Sequence, residues 1–492
     1  MVLKTVDIKP GKDFYMETQN AFIFLFFSML CMCFGWGMRG SAIGGEKGAM
    51  LPGALLGAMC VWYTGSDLLM ENAFLFVSAC ALGYFYGGIE PYGSTMGLII
   101  QHDKPRYNPS LGYLALAFKG SLWGGLGAGF LGVSFSAVSG VVYKWYDFVI
   151  FFALVPLLQQ IGYRVFNTPY DPDNGKMPKI CFSERSREEW GRNLAVVAEL
   201  LILMLIRKDI FGIIMWAGGA LAGAVGWVVG ITFFDKQLHS LKNGKRMFGK
   251  FSERGIIDGW KIMEFVQGCF HGLGAGLAFV LGWPIAAKKL QHAEQSGELW
   301  HVVPQRLDTV LSWILCAVII CTMLMFIAPI YKKSKDGKPP RKIDTNTLEL
   351  IERPCYMVMP LCLIMLGSTT MAEIIGCFAM YFVLAQHDGL ERFSNFRHIR
   401  LIRVVLIAIG AAILAVQAFR GVSLWEAWIF YCFGYLIFDF ISFFRPEKIK
   451  ACRQQRMPFR DFVVSFGGIA TVQPFFYLLA TVMLFFGYIN FR

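Results

Sequence analysis

Residues 20–39 read Asn20-Ala-Phe-Ile-Phe-Leu-Phe-Phe-Ser-Met-Leu-Cys-Met-Cys-Phe-Gly-Trp-Gly-Met-Arg39, with no charged side chain between the asparagine and the arginine. At about 1.5 Å per residue in an α-helix, a run of this length crosses a hydrocarbon core of roughly 30 Å. Thr309–Ile330 is a second run of the same kind. The 492 residues are 56% hydrophobic and only 16% charged, more apolar surface than one water-soluble core of this size can hide. The reading is therefore an all-α, polytopic integral membrane helical bundle whose solvent is the lipid bilayer. The first run is followed by a glycine-rich stretch instead of a small-residue cleavage site, so it reads as a retained span.

The expected spans are 21–38, 50–64, 73–90, 110–135, 147–164, 192–207, 210–233, 259–284, 308–330, 354–368, 370–386, 402–419, 424–444 and 462–490, about 13–14 transmembrane helices. Gly367-Ser-Thr-Thr inside 354–386 is either a turn between two spans or a kink in one. The net charge of +12 does not point to nucleic acid, because the basic residues are confined to loops. Three loops, 234–258, 331–353 and 445–461, carry most of the excess and are expected to be cytoplasmic by the positive-inside rule. The acidic link Asp67–Glu71 and the N-terminus then fall outside, although Lys4, Lys9 and Lys12 oppose that placement. A multi-pass location in the plasma (inner) membrane is expected, with the bilayer and a small solute as partners and a homo-oligomer left open.

The thirteen cysteines are an odd number, mostly inside apolar runs, with no CxxC pair. They read as small packing residues, and neither a disulfide framework nor a zinc site is expected from them. No metal and no cofactor are expected. Walker A, HExxH, GxSxG and kinase signatures are absent from the sequence, which argues against nucleotide-driven transport by this chain alone.

Residues 21–135 align with 146–284 in order and nearly in spacing, as two copies of one four-helix unit. Phe22–Ser28 running to Gly37-Met38-Arg39 matches Asp147–Ala153 running to Gly162-Tyr163-Arg164. Glu46-Lys47-Gly48 meets Glu189-Trp190-Gly191, Gly83 and Gly87 meet Gly226 and Gly230, and Gly125-Leu-Gly-Ala-Gly129 recurs as Gly272-Leu-Gly-Ala-Gly276. The expected division is a polar segment 1–20, a first repeat 21–140, a second repeat 141–290 and a C-terminal bundle 305–492. Matching helices are four spans apart, so the copies have the same membrane orientation. Glycine- and alanine-rich helices also resemble one another by composition alone, which is the competing explanation.

Candidate site residues follow from the breaks and from charges inside spans. Gly35–Gly53 is rich in glycine, holds Pro52, Arg39, Glu46 and Lys47, and cannot be one continuous helix. It reads either as a tight cytoplasmic turn or as a broken helix lining a site, with N–H groups near Pro52 aimed at an anion. Cross-copy pairs Arg39–Glu189 and Arg164–Glu46 would lock the units or gate them. Lys119, Glu199, Glu264, His271, Glu373 and Asp439 lie within spans, and Glu90 at a span end. Each costs roughly 2.5–3.5 kcal/mol at a helix centre and calls for a partner or a wet cavity. Glu264 and His271, seven residues apart on one helix face, suit proton coupling, with Glu373 a third ion-coupling candidate. A Lys119–Glu264 bridge is the structural alternative, and Glu199 and Asp439 read as interfacial. Arg39, Glu46, Lys47, Glu90, Lys119, Trp123, Arg164 and Glu189 form the expected substrate-binding set. Gly120-xxx-Gly124 and Gly125-xxx-Gly129 read first as close helix packing.

The function expected is a secondary carrier or channel-like transporter for a small polar, including anionic, solute, with its site between the repeats. The alternatives are a membrane-embedded transferase for a lipid-linked or acyl substrate, using His271, Glu90 or His102, and a non-catalytic scaffold subunit.

Overall fold

The computed structural model describes residues 18–39, 45–71, 73–90, 92–138, 142–168, 175, 180–183, 188–239, 241–242, 245–247 and 259–296. These form α1 (Thr18–Arg39), α2 (Gly45–Thr64), α3 (Asp67–Glu71), α4 (Ala73–Gly87), α5 (Tyr92–Ile100), α6 (Pro109–Val138), α7 (Trp145–Phe166), α8 (Trp190–Ile206), α9 (Ile210–His239) and α10 (Gly259–Ser296). A two-residue antiparallel ladder, Leu241–Lys242 with Lys245–Arg246, folds back the basic connection after α9. Four helices among the described residues are long and apolar enough to cross a membrane: Pro109–Val138, Tyr146–Phe166, Ile210–His239 and Gly259–Ala293. The spans expected from 308 onward lie outside the described residues.

Six helices close into a ring in which α1 packs on α2, α2 on α4, α4 on α6, α6 on α9, α9 on α10, and α10 back on α1. The α7–α8 pair flanks this ring against α6 and α9. Glycine sets the closest contact, between α6 and α9. A Cβ on Gly124 would overlap the Gly219 carbonyl oxygen, and one on Gly223 would overlap that of Gly120. The backbones can approach this closely only because both helices present small residues four apart. Gly125 and Gly129 instead receive the Trp216 side chain.

Three connections shape the interior. α8 and α9 are joined by Arg207-Lys208-Asp209, with Lys208 at φ 52° in the left-handed region. The buried Asp209 accepts the Gly212 N–H at 2.9 Å, capping α9, and also accepts Ser136 and Tyr143 hydroxyls, each at 2.7 Å. Burial first, and then the Asp209 charge, push the Tyr143 phenol well above its usual pKa, which keeps it a donor. The Gly35–Gly53 stretch falls on two helices packed against each other, the end of α1 at Arg39 and the start of α2 at Gly45, and residues 40–44 lie outside the described residues. Pro52, however, lies inside α2 and not at its start, so the helix N-terminus expected near Pro52 is about two turns earlier. The third connection breaks α4 from α5. Residues after 90, read as loop, form the short helix α5, whose Tyr92 and Ser94–Ile99 are buried.

Candidate functional site

Two adjoining polar layers meet at α6. In the first, Lys119 of α6 is fully buried. Its ammonium donates to Glu90 Oε1 at 2.6 Å, Thr95 Oγ1 at 2.7 Å and Glu188 Oε2 at 2.9 Å, using all three of its protons. Glu90 Oε2 accepts the Glu189 backbone N–H at 2.8 Å, and Glu188 Oε1 accepts that of Phe182 at 2.7 Å. Every carboxylate oxygen therefore has a donor, the condition under which buried charges are tolerated. One cation faces two carboxyl groups. With both carboxyl groups ionised the cluster carries one net negative charge.

The break between α4 and α5 delivers Glu90 to this cluster. Gly88 N–H folds back to Tyr84 O at 3.1 Å and Phe85 O at 3.0 Å, ending the helical ladder. The Gly87 carbonyl thus released accepts Tyr92 OH at 3.0 Å and Asn193 Nδ2 at 3.1 Å. Trp123 Nε1 donates to Tyr84 O at 2.8 Å. Non-helical backbone inside a bundle persists only with such donors. Glu90, read from the sequence at a span end, stands three residues past the end of α4 and is 3% exposed, between α4 and α5.

The second layer is aromatic and centres on His271 of α10. Its ring stacks on Trp36 at 4.4 Å and 14°, and its Nδ1 lies 3.2 Å from Tyr84 OH. Trp36 leans on Trp123 at 5.0 Å, Trp123 stacks on Tyr92 at 4.4 Å, and Tyr92 on Trp227 at 4.5 Å. Among the described residues His271 Nε2, both polar atoms of the Gln267 amide and Trp227 Nε1 are buried without a hydrogen-bond partner. Gln267 and His271 are one helical turn apart on the same face. Buried polar groups are nearly always satisfied; four atoms of this layer are not, nor are others elsewhere, at Gln159 and Glu199.

The expected site residues divide accordingly. Lys119, Glu90 and Trp123 come together, joined through the backbone by Glu189, whose own carboxylate faces Arg192 at 3.7 Å. Lys119 does not bridge Glu264. Glu264 pairs with Lys261 at 2.6 Å one turn away, and Lys261 also donates to Gly37 O at 2.9 Å. Glu264 and His271 both face α1, but two turns apart with separate partners. Arg164 is exposed on α7, away from the ring. Glu199, read as interfacial, is instead buried in the middle of α8, its two oxygens without a partner among the described residues. A single residue in an apolar helix gives no sign of its depth when the helix is packed on three neighbours. The side chains of Arg39, Glu46 and Lys47, and all of Glu373 and Asp439, lie outside the described residues.

Sequence reasoning missed Glu188, Thr95, Tyr84, Trp36 and Gln267. Glu188 had a signal in retrospect: the pair Glu188-Glu189 directly precedes α8, and the residue singled out by the internal match is the neighbour of the one that pairs. Thr95 belongs to a helix the reading had as loop. No known protein family, curated protein or solved structure matches the chain.

Proposed function

We propose that this chain is a polytopic integral membrane carrier for a small polar solute, working from the polar interior of the ring. The observation that carries the reading is the layer of buried, unpartnered polar atoms at His271, Gln267 and Trp227 beside the buried ion cluster of Lys119, Glu90 and Glu188. A purely structural core would gain stability by replacing such groups with apolar ones. Retaining them is sensible where a guest or a proton satisfies them in turn.

Three further features support it. Large apolar side chains are exposed on the outer faces of several helices, among them Phe22, Ile150, Leu157, Leu205, Leu221 and Leu281. In water these would form an adhesive belt, whereas lipid is their natural solvent. The broken α4–α5 segment matches the discontinuous helices that line carrier sites. The site also draws on both proposed repeats, α1, α4 and α6 from the first and α9 and α10 from the second. Pairing within the copies runs in parallel for α1–α2 and α7–α8 and for α4–α6 and α9–α10, while α8 touches α9 far more sparingly than α2 does α4. We take the chain as a diverged tandem repeat whose two same-sense units move about the shared interior.

Reconstituted protein should take up at least one member of a panel of small carboxylates, phosphate, amino acids and polyols under an imposed pH or sodium gradient. His271→Gln should lower that flux at least tenfold while inserting normally, and Lys119→Met, a less stable protein, should lower it at least tenfold per correctly inserted molecule. Uptake no faster than in empty liposomes across the panel, or full flux in both variants, would refute the proposal.

A further inference from the structure

Outside the ring interior, three side chains with metal-binding donor atoms converge. His102 follows α5 by two residues, and Asp235 and His239 stand one turn apart near the C-terminal end of α9. His102 Nε2 is 2.8 Å and His239 Nδ1 3.0 Å from the same oxygen, Asp235 Oδ1. The two imidazole rings lie face to face at 3.8 Å and 16°. All three donor atoms fall within 4.8 Å of one another.

We propose that His102, Asp235 and His239 form a site for a divalent first-row transition metal, Zn²⁺ being the ion that suits the donor set best. Two imidazoles and one carboxylate are the ligand combination used by open zinc and non-haem iron sites, which keep further positions for water or a substrate. Donor atoms bound at about 2.0–2.1 Å stand roughly 2.9 Å apart at a right angle and roughly 3.3 Å apart at the tetrahedral angle. The two observed N–O separations match the first value and need only a few tenths of an ångström to reach the second. The stacked rings hold both nitrogens on the same carboxylate oxygen, and a modest turn of the imidazoles about their side-chain bonds lets a single ion take both lone pairs along with the carboxylate. The remaining ring nitrogens, His102 Nδ1 and His239 Nε2, belong to partly exposed residues and can keep their protons toward water, the tautomer that metal binding requires.

The three residues also sit at a junction between elements. α9, with 30 residues, is about 45 Å long, more than a hydrocarbon core of roughly 30 Å, so its last turns project beyond the span. α5 carries Thr95 of the lysine cluster and leads directly into His102, while α9 carries Trp227 two turns before Asp235. A metal here ties the two elements together at the rim of the ring. The sequence reading expects no metal, because it rests on cysteine spacing; the signal was Asp235-xxx-His239, an i, i+4 pair on one helix face.

The test is Zn²⁺ binding to the full-length protein in detergent, purified with a tag that contains no histidine and stripped with a chelator. Competition against a chromophoric zinc indicator should give one tight equivalent per chain. It should bind at least tenfold more weakly in His102→Gln and in the His239→Gln, Asp235→Asn double variant. Co²⁺ should give a visible ligand-field absorption in the intact protein that both variants lose. His102 lies in an exposed turn, so its replacement leaves the helices intact and reads the site even if the α9 variant fails to fold. Equal Zn²⁺ affinity in intact protein and His102→Gln, or no equivalent tighter than the indicator, would overturn the proposal.

Discussion

An ammonium near the middle of an apolar helix costs roughly 2.5–3.5 kcal/mol on insertion scales when nothing answers it. Lys119 is answered three times, by Glu90, Thr95 and Glu188. The dependence runs in both directions, because removing the lysine strands two buried carboxylates against each other. Lys119→Met should lose about 3–5 kcal/mol of stability, seen as a markedly lower melting temperature in detergent. Adding Glu90→Gln to that variant should restore part of the loss, since only one carboxylate then lacks a counter-charge. A double variant no more stable than Lys119→Met would mean that Glu90 is not the lysine's principal partner. At this scale the sequence identified the costly residues more readily than their partners. Lys119, Glu90 and His271 stand out as polar residues in apolar surroundings, whereas Glu188 and Thr95 come from segments with no such contrast, and the expected Lys119–Glu264 bridge rests on sequence position that the packing does not honour.

Among the elements, the contact of α6 with α9 depends on four glycines, Gly120 and Gly124 facing Gly223 and Gly219. A leucine at Gly223 would place its side chain where the Gly120 backbone lies, so the two helices must separate. Gly223→Leu should therefore lower the melting temperature sharply. Leu221→Ala, two residues away on an exposed face, should leave it nearly unchanged. Similar losses for both would place the glycines outside the critical contact. The long helices were largely legible beforehand: expected spans 110–135 and 147–164 correspond to Pro109–Val138 and Trp145–Phe166. Uninterrupted apolar length is a local property, and it survives folding. α5 was not legible, because Gly93, Ser94 and Thr95 following Pro91 have the composition of a loop, and only tertiary burial makes them helical. The break at Gly87-Gly88 was hidden for the converse reason, as it falls where the apolar run is already ended by Glu90.

For the whole molecule, the ring of α1, α2, α4, α6, α9 and α10 encloses polar groups that face neither the outer apolar surface nor one another in full. A sealed core would keep them from water permanently, while a carrier must expose them to each side of the membrane in turn. Gln267 is the most informative position, being fully buried and part of the unpartnered layer. The decisive measurement is the labelling of Gln267→Cys by a membrane-impermeant thiol reagent in sealed vesicles. The protein should be otherwise cysteine-free and still able to carry solute, and the reagent should be applied separately to each face. The carrier account predicts reaction from both faces, slowed by the transported solute. A cysteine at 267 that reacts from neither face, with or without solute, would contradict it.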